Sequence, residues 1–507
     1  MKVKPNPRLK ICFVSPYIYP LFDPEIKTMF GGFEVRLYQI VTELARRSNF
    51  DVCVIVADHG QPHQEFRQGV ELISWTNQHF FGIPKPDSQV DEVIKKEKKA
   101  NPTSPGAINP GSDVKFHNND EMAVSQSPLQ IRGAIARSKQ QTKAIYKKVL
   151  PWKIRLIIHG FVAGSRDASA YFFRGLRDGF GIWRDAIIYN MRIARTAFSE
   201  INNQPLYPEA VAIFEEANAD VYAVPGNHWI AARVGSYCKK RRRVYMMMIG
   251  SDKDLQPDIK DEPEGFDVYN ASHALKLYAI DSADVMTVQS DNQEKLAKYF
   301  GISPVLIRNP VDLERIYPKI ESNNHILWVG NTQEPVKRPS AMLEVARRLP
   351  EFQFTMIVTI VMQDQYEKIV QSAEAIPNLT VMTSVPFQEV EKYFARSRIF
   401  VNTSNFEGFP NTFLQAGKYA VPVASLKVDP NHMFTQHGCG PLCEDNLDLL
   451  VTNIQRLMCD PSYYEPFSRN ILEYVQKYHD KDLIISQYEA VFRSATKNKQ
   501  RLFKLLI

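Results

Sequence analysis

Nowhere in the 507-residue chain do about 18 uncharged apolar residues run together, so no transmembrane helix is expected. A secretory-signal pattern is lacking too: the first apolar run, Leu9 to Tyr19, is short and interrupted by Pro16. These two absences lead to the expectation of a cytoplasmic protein, working on the inner side of any membrane it touches. Cysteine is scarce, with six residues (Cys12, Cys53, Cys238, Cys439, Cys443 and Cys459). Cys439 and Cys443 form a C-x-x-x-C pair, but no second pair or histidine stands at zinc-finger spacing, so free thiols in a reducing compartment are expected. The formal charge of +6 is modest and no recognised nucleic-acid module accompanies it, which argues against a nucleic-acid partner. What remains is ordinary globular composition, 44% hydrophobic and 23% charged, in a chain long enough for two or three domains.

The apolar patterning alternates between strand and helix. Leu9 to Ser15 reads as a buried strand, and Gly31-Gly32 precedes a helix whose Phe33, Leu37, Ile40, Val41, Leu44 and Ala45 share one face. A second strand follows at Asp51 to Ala57. Strand, helix, strand in this order needs a crossover, hence a parallel pair. The pattern resumes near Pro208, with strands at Asp220–Val224, Val244–Ile249 and Asp284–Val288. Another series has strands at Ile326–Gly330, Phe352–Val358, Leu379–Met382, Ile399–Thr403 and Val421–Ser425, followed by a mostly helical stretch from Pro461. The expected fold is α/β, with two doubly wound Rossmann-like domains facing a cleft. The first takes residues 1–84 and 206–308, an insertion 85–205, a linker 309–324, the second domain 325–470, and C-terminal helices 471–507. Ligands of such folds sit outside the carboxyl ends of the strands, here between the two halves.

Three junctions carry residues suited to chemistry. At Gly31-Gly32 the backbone can approach a phosphate at a helix start, or the glycines merely make a turn. In Gly330 to Pro339, Lys337 follows a strand and either neutralises a diphosphate or is a solvated loop cation. In the run Asn402 to Ala416, Glu407 could hydrogen-bond sugar hydroxyls or stabilise the dipole of the helix that starts near Asn411. The helix-start amides of Asn411 and Thr412 suit a phosphate, and Gln415 lies along the same helix within reach of a ribose.

Glu407-Gly408-Phe409 with Gln415 eight residues on resembles the acid-x7-acid motif of the large family of retaining GT-B glycosyltransferases, the group 1 or family 4 type. The likeness continues through Gly417 to Pro422, Val385-Pro386, Asn309-Pro310-Val311-Asp312, and Gly31-Gly32-Phe33-Glu34. It spans residues 9–80 and 208–490. It implies a hexosyltransferase acting on a glycan or lipid-linked acceptor, for example in polysaccharide biosynthesis, with the second domain holding a nucleoside diphosphate sugar and the first the acceptor. Lys337 would bind the diphosphate with Arg338 beside it, and Glu407 the transferred sugar. Phe409, Asn411, Thr412, Gln415 and Gly32 would complete the donor site. No metal or other cofactor is implied, because basic side chains and helix amides stabilise the leaving diphosphate. Three departures stand out. Asn331 replaces an arginine common after the glycine of the Lys337 loop, and Gln415 replaces the second acid. The histidine usual after the fourth N-domain strand is absent, which makes Asp252 or Ser251 the replacement and His228 a further candidate.

Residues 129–198 carry fourteen Lys and Arg against three Asp, a local charge of +11 that leaves the rest of the chain acidic. Trp183, Ile187, Met191, Ala194 and Phe198 share a helical face edged by Arg184, Arg192 and Arg195. Such a segment either lies on an anionic membrane surface or packs as a helical subdomain with a solvated basic face. The losses at Asn331 and Gln415 motivate an alternative to the enzyme, a catalytically weak GT-B-like binding or scaffold protein at a membrane.

Overall fold

The computed structural model describes residues 8–26, 30–75, 207–267, 271–320, 324–383 and 385–505. The basic helices expected within 129–198 lie outside the described residues. Strand β1 (Leu9–Val14) pairs in parallel with β2 (Phe50–Ala57), Ile11 opposite Val52. Between them α1 (Gly32–Arg46) buries Leu37, Ile40, Val41 and Leu44 on one face, as their spacing requires. Glu34 reaches back to accept the Gly31 N–H at 2.7 Å, closing the first turn.

An antiparallel hairpin not expected from the sequence follows, β3 (Gln64–Arg67) and β4 (Val70–Trp75). Its turn, Gln68-Gly69, has φ of +53° and +81°. Then come α2 (Tyr207–Ala217), β5 (Val221–Pro225), α3 (Trp229–Arg241), β6 (Val244–Met248) and α4 (Pro257–Asp261). After α5 (His273–Ser282), β7 (Val285–Val288), α6 (Asp291–Tyr299) and β8 (Val305–Leu306) complete the first domain. The sheet order is β3-β4-β2-β1-β5-β6-β7-β8, parallel except for β3. The chain runs outward from β1 in one direction and then from β5 in the other, so a crevice opens at the carboxyl ends of these central strands.

The second domain follows the same logic. Its elements are β9 (His325–Asn331), α7 (Glu334–Lys337), α8 (Pro339–Arg348), β10 (Gln353–Thr359), α9 (Gln363–Ala373), β11 (Leu379–Thr383), α10 (Phe387–Arg396), β12 (Ile399–Asn402), α11 (Asn411–Lys418), β13 (Val423–Ser425) and α12 (Leu447–Cys459). The order β11-β10-β9-β12-β13 is parallel throughout. Alternation along β9 and β12 supplies two cores. Ile326, Trp328, Ile399 and Val401 enter one, and Leu327 and Phe400 the other. Gly417 belongs to the resembling motif for a packing reason: a Cβ there would lie 2.3 Å from Val475 Cγ2, on the next helix.

That helix is α13 (Pro461–His479), whose Ile471, Tyr474 and Val475 pack into the second domain. The last helix, α14 (Lys481–Leu505), crosses back: Ile484, Ile485, Tyr488 and Phe492 are buried in the core of the first domain. The two passages between domains lie side by side. Val311 N–H donates to His479 O at 2.8 Å, and Lys481 N–H returns to Val311 O at 3.1 Å. Among the described residues, no helix is long and apolar enough to cross a membrane. All six cysteines are free, and only Cys459 is exposed.

Candidate active site

The strand β12 ends at Asn402, and the following loop brings Glu407 against Lys337 of the loop after β9. The ammonium of Lys337 contacts Glu407 Oε1, with the two side chains 24% and 13% exposed. Glu407 Oε1 also accepts the Ser404 hydroxyl at 2.7 Å. The main chains of the two loops are joined as well: Asn405 N–H donates to Val336 O at 2.8 Å, and the Thr403 hydroxyl to Lys337 O at 2.6 Å. Lys337 and Glu407, singled out separately in the sequence, thus lie side by side on two loops joined through their main chains.

Arg338 follows Lys337 in the same loop. It adopts a left-handed backbone conformation (φ +51°), which separates α7 from α8. Its guanidinium pairs with Asp445, which also binds Lys427 Nζ at 3.1 Å, and donates to Asn405 Oδ1 at 3.3 Å. These hydrogen bonds, first from Arg338 and then from Lys427, hold the Asp445 carboxyl below its ordinary range. The charge of Arg338 thus already has an acid partner.

The first domain approaches this site at two glycines. Asn411 Nδ2 donates to Gly32 O at 2.5 Å, while Asn309 Nδ2 donates to Asn411 Oδ1 at 2.9 Å. A Cβ on Gly408 would lie 3.0 Å from Gln289 Nε2 and 3.1 Å from Gly250 O. The Asn411 side chain is engaged at the domain junction, whereas the phosphate contact expected of Asn411 is through its helix-start amide. No side chain caps α11, whose N-cap is Pro410, and Thr412 and Gln415 are half-buried along the same helix. Phe409 is 6% exposed and its ring packs on His479 with centroids 4.7 Å apart, so the ring anchors the loop from the core side.

Asp252 lies two residues beyond Gly250, whose carbonyl is the group that lies against Gly408. Its Oδ2 accepts from Asn292 at 2.7 Å; burial raises its carboxyl above the ordinary range, against the Asn292 and Gln293 amides. The loop is organised by Asp254, which the sequence reading missed. Its Oδ2 accepts the N–H groups of Gly250 and Ser251 at 3.0 and 2.9 Å, and its Oδ1 that of Asn227 at 3.2 Å. The Ser251-x-x-Asp254 spacing is a capping-box pattern and was the available signal. His228 is structural: Nδ1 accepts the Ile230 N–H at 3.3 Å, Nε2 bonds Pro225 O at 2.8 Å, and burial lowers its pKa. Asn331 bonds within its own loop, accepting the Gln333 N–H at 3.0 Å.

Arg36 is a further residue that patterning on α1 did not single out. It is buried, and its guanidinium donates to Gln289 Oε1 (3.1 Å), Ile307 O (3.1 Å) and the Tyr488 hydroxyl (2.7 Å). One side chain thus ties together the end of β7, the residue after β8 and α14.

Residues 323–460 match the family model described as Glycosyl transferases group 1. No curated protein matches the chain. Among solved structures, sucrose-phosphate synthase from Thermosynechococcus elongatus is similar at 14% identity and a TM-score of 0.58, covering 96% of this chain and 99% of that one. Anabaena Alr3699/HepE, in complex with UDP and glucose, gives 12% identity and 0.55, covering 96% and 100%. A glycosyltransferase from Rickettsia africae gives 10% identity and 0.53, covering 97% and 99%. The two described domains thus have the GT-B fold, and the segment 323–460, which holds Lys337 and Glu407, is matched by the group 1 glycosyltransferase family.

Proposed function

We propose that the protein transfers a hexosyl group, with retention, from a nucleoside diphosphate sugar to a glycan or lipid-linked acceptor. The observation that carries this reading is the Lys337–Glu407 pair, held between two locked loops where the domains meet. Without a donor the two charges satisfy each other. An incoming diphosphate takes the Lys337 ammonium, which releases Glu407 to accept hydrogen bonds from the sugar hydroxyls. The amides of Asn411 and Thr412 and the main chain at Gly32 add dipoles at the phosphates, and Gln415 meets the ribose. Leaving-group charge is then stabilised by these groups with no metal, so turnover is expected to survive EDTA. Asp252, raised by burial, is the candidate group for the acceptor side.

The match of 323–460 to the family and the Anabaena relative's complex with UDP and glucose support the donor class. The test is a thermal-shift screen of UDP-glucose, UDP-N-acetylglucosamine, ADP-glucose and GDP-mannose, followed by donor hydrolysis. At least one should raise Tm and be turned over. Stabilisation without turnover would favour a binding or scaffold role, and neither effect would remove the donor site. For the basic segment we propose a peripheral contact with an anionic membrane. Liposome flotation with and without residues 129–198 tests it, and an unchanged bound fraction would exclude that segment.

A further inference from the structure

We infer that Thr403 and Ser404 are a pair of positioning residues, each orienting one member of the Lys337–Glu407 pair; this rests on the donor site proposed above. Both side chains are buried, at 0% and 1% exposure, immediately after β12. The Trp328 indole N–H donates to Thr403 Oγ1 at 2.9 Å. An indole can only donate, so the Thr403 hydroxyl hydrogen is directed to its other partner, Lys337 O at 2.6 Å. Ser404 repeats the device for the acid. Asn402 Nδ2 donates to Ser404 Oγ at 3.2 Å, and Ser404 in turn donates to Glu407 Oε1 at 2.7 Å.

Each hydroxyl therefore relays a fixed donor to one half of the pair. The tryptophan end is immobile: Trp328 is buried, and a Cβ at Gly330 would lie 2.5 Å from its ring. Ser404 and Lys337 both use Oε1 of Glu407. Neither uses Oε2, which is thereby presented to the sugar. When a diphosphate draws Lys337 away, the serine is what keeps the carboxylate in place. A buried hydroxyl that merely satisfied itself would have no need to choose the carboxylate that the motif supplies.

The two residues should fail in different ways. The probes are the donor found in the screen above and its free nucleoside diphosphate. Ser404→Ala should lower kcat for donor hydrolysis about tenfold, as expected for a hydrogen bond to a charged group, while the nucleoside diphosphate Kd stays unchanged. Ser404→Thr, which keeps the hydroxyl, should restore kcat. In a Glu407→Ala background, Ser404→Ala should add nothing. Thr403→Val should instead weaken the nucleoside diphosphate Kd by about tenfold through the Lys337 loop. Wild-type kcat in Ser404→Ala, or an equal loss with and without Glu407, would overturn the assignment. If the wild-type protein turns over no donor, the proposed function falls. A crystal structure of Ser404→Ala still decides the positioning claim, because Glu407 in its original rotamer would refute it.

Discussion

Glu407 carries its interactions on one oxygen, and that asymmetry sets the expectations for single substitutions. Glu407→Ala should lower kcat/KM for the donor by about 100-fold or more, in the range of losing one preorganised transition-state contact. Its Tm should stay near wild type, since the bonds of Thr403 and Asn405 to the Lys337 loop hold both loops without the carboxylate. Steady-state kinetics with parallel melting curves would check both. Lys337→Arg should not rescue a Lys337→Ala loss of diphosphate affinity, because a planar fork does not replace a point charge in this loop. Gly408→Ala should destabilise by about 1–3 kcal/mol in urea unfolding, since its Cβ would press on Gly250 O and Gln289 across the domain junction. The acid, the lysine and the glycines were legible in the sequence, because loops after strands are where this fold puts chemistry. The roles of Thr403, Ser404 and Asn309 were not. A hydroxyl or amide at a strand end looks the same whether it caps its own loop or reaches another, and only the sheet order decides.

At the scale of elements, the informative feature is the pairing of the two interdomain passages. Asn309 bonds Phe409 O at 3.3 Å and Asn411 Oδ1 at 2.9 Å, while His479 Nδ1 bonds Asn309 O at 2.8 Å. Phe409 packs on His479, so the motif loop is attached to the passage itself. His479 is fully buried, and burial lowers its pKa from 6.5 to about 3, with Arg308 and Arg36 adding to that against the bond that Nδ1 donates to Asn309 O. Its folded pKa lies below the unfolded value. The neutral ring is therefore favourable above pH 6.5, and that stability is lost progressively as pH falls toward 3. His479→Asn, which keeps a donor near Nδ1, should flatten the fall of Tm between neutral and acidic pH; an equally steep fall would assign it to other groups. Helix α14 offers a second expectation: Phe492→Ala should cost about 3–5 kcal/mol and unfold the first domain, although the residue belongs to the far end of the chain. The helical period of this segment was readable in the sequence. Its destination was not, because an amphipathic helix does not name the sheet it covers. The β3–β4 hairpin escaped for the opposite reason: its short, half-exposed first strand carries almost no apolar signal.

For the molecule as a whole, two doubly wound sheets meet with their strand ends toward one another, joined by Asn411 to Gly32 and by Gly408 against Gly250. That architecture followed from strand and helix alternation alone, since parallel pairs require crossovers and crossovers require this order. In the function proposed above, this junction binds a nucleoside diphosphate sugar through Lys337 and Glu407. Calorimetric titration of wild type, Lys337→Ala and Glu407→Ala with the screened donor and its free nucleoside diphosphate tests it most directly. Lys337→Ala should weaken both ligands, and Glu407→Ala should weaken the sugar nucleotide while leaving the free diphosphate unchanged. Equal affinities across all three proteins would contradict it.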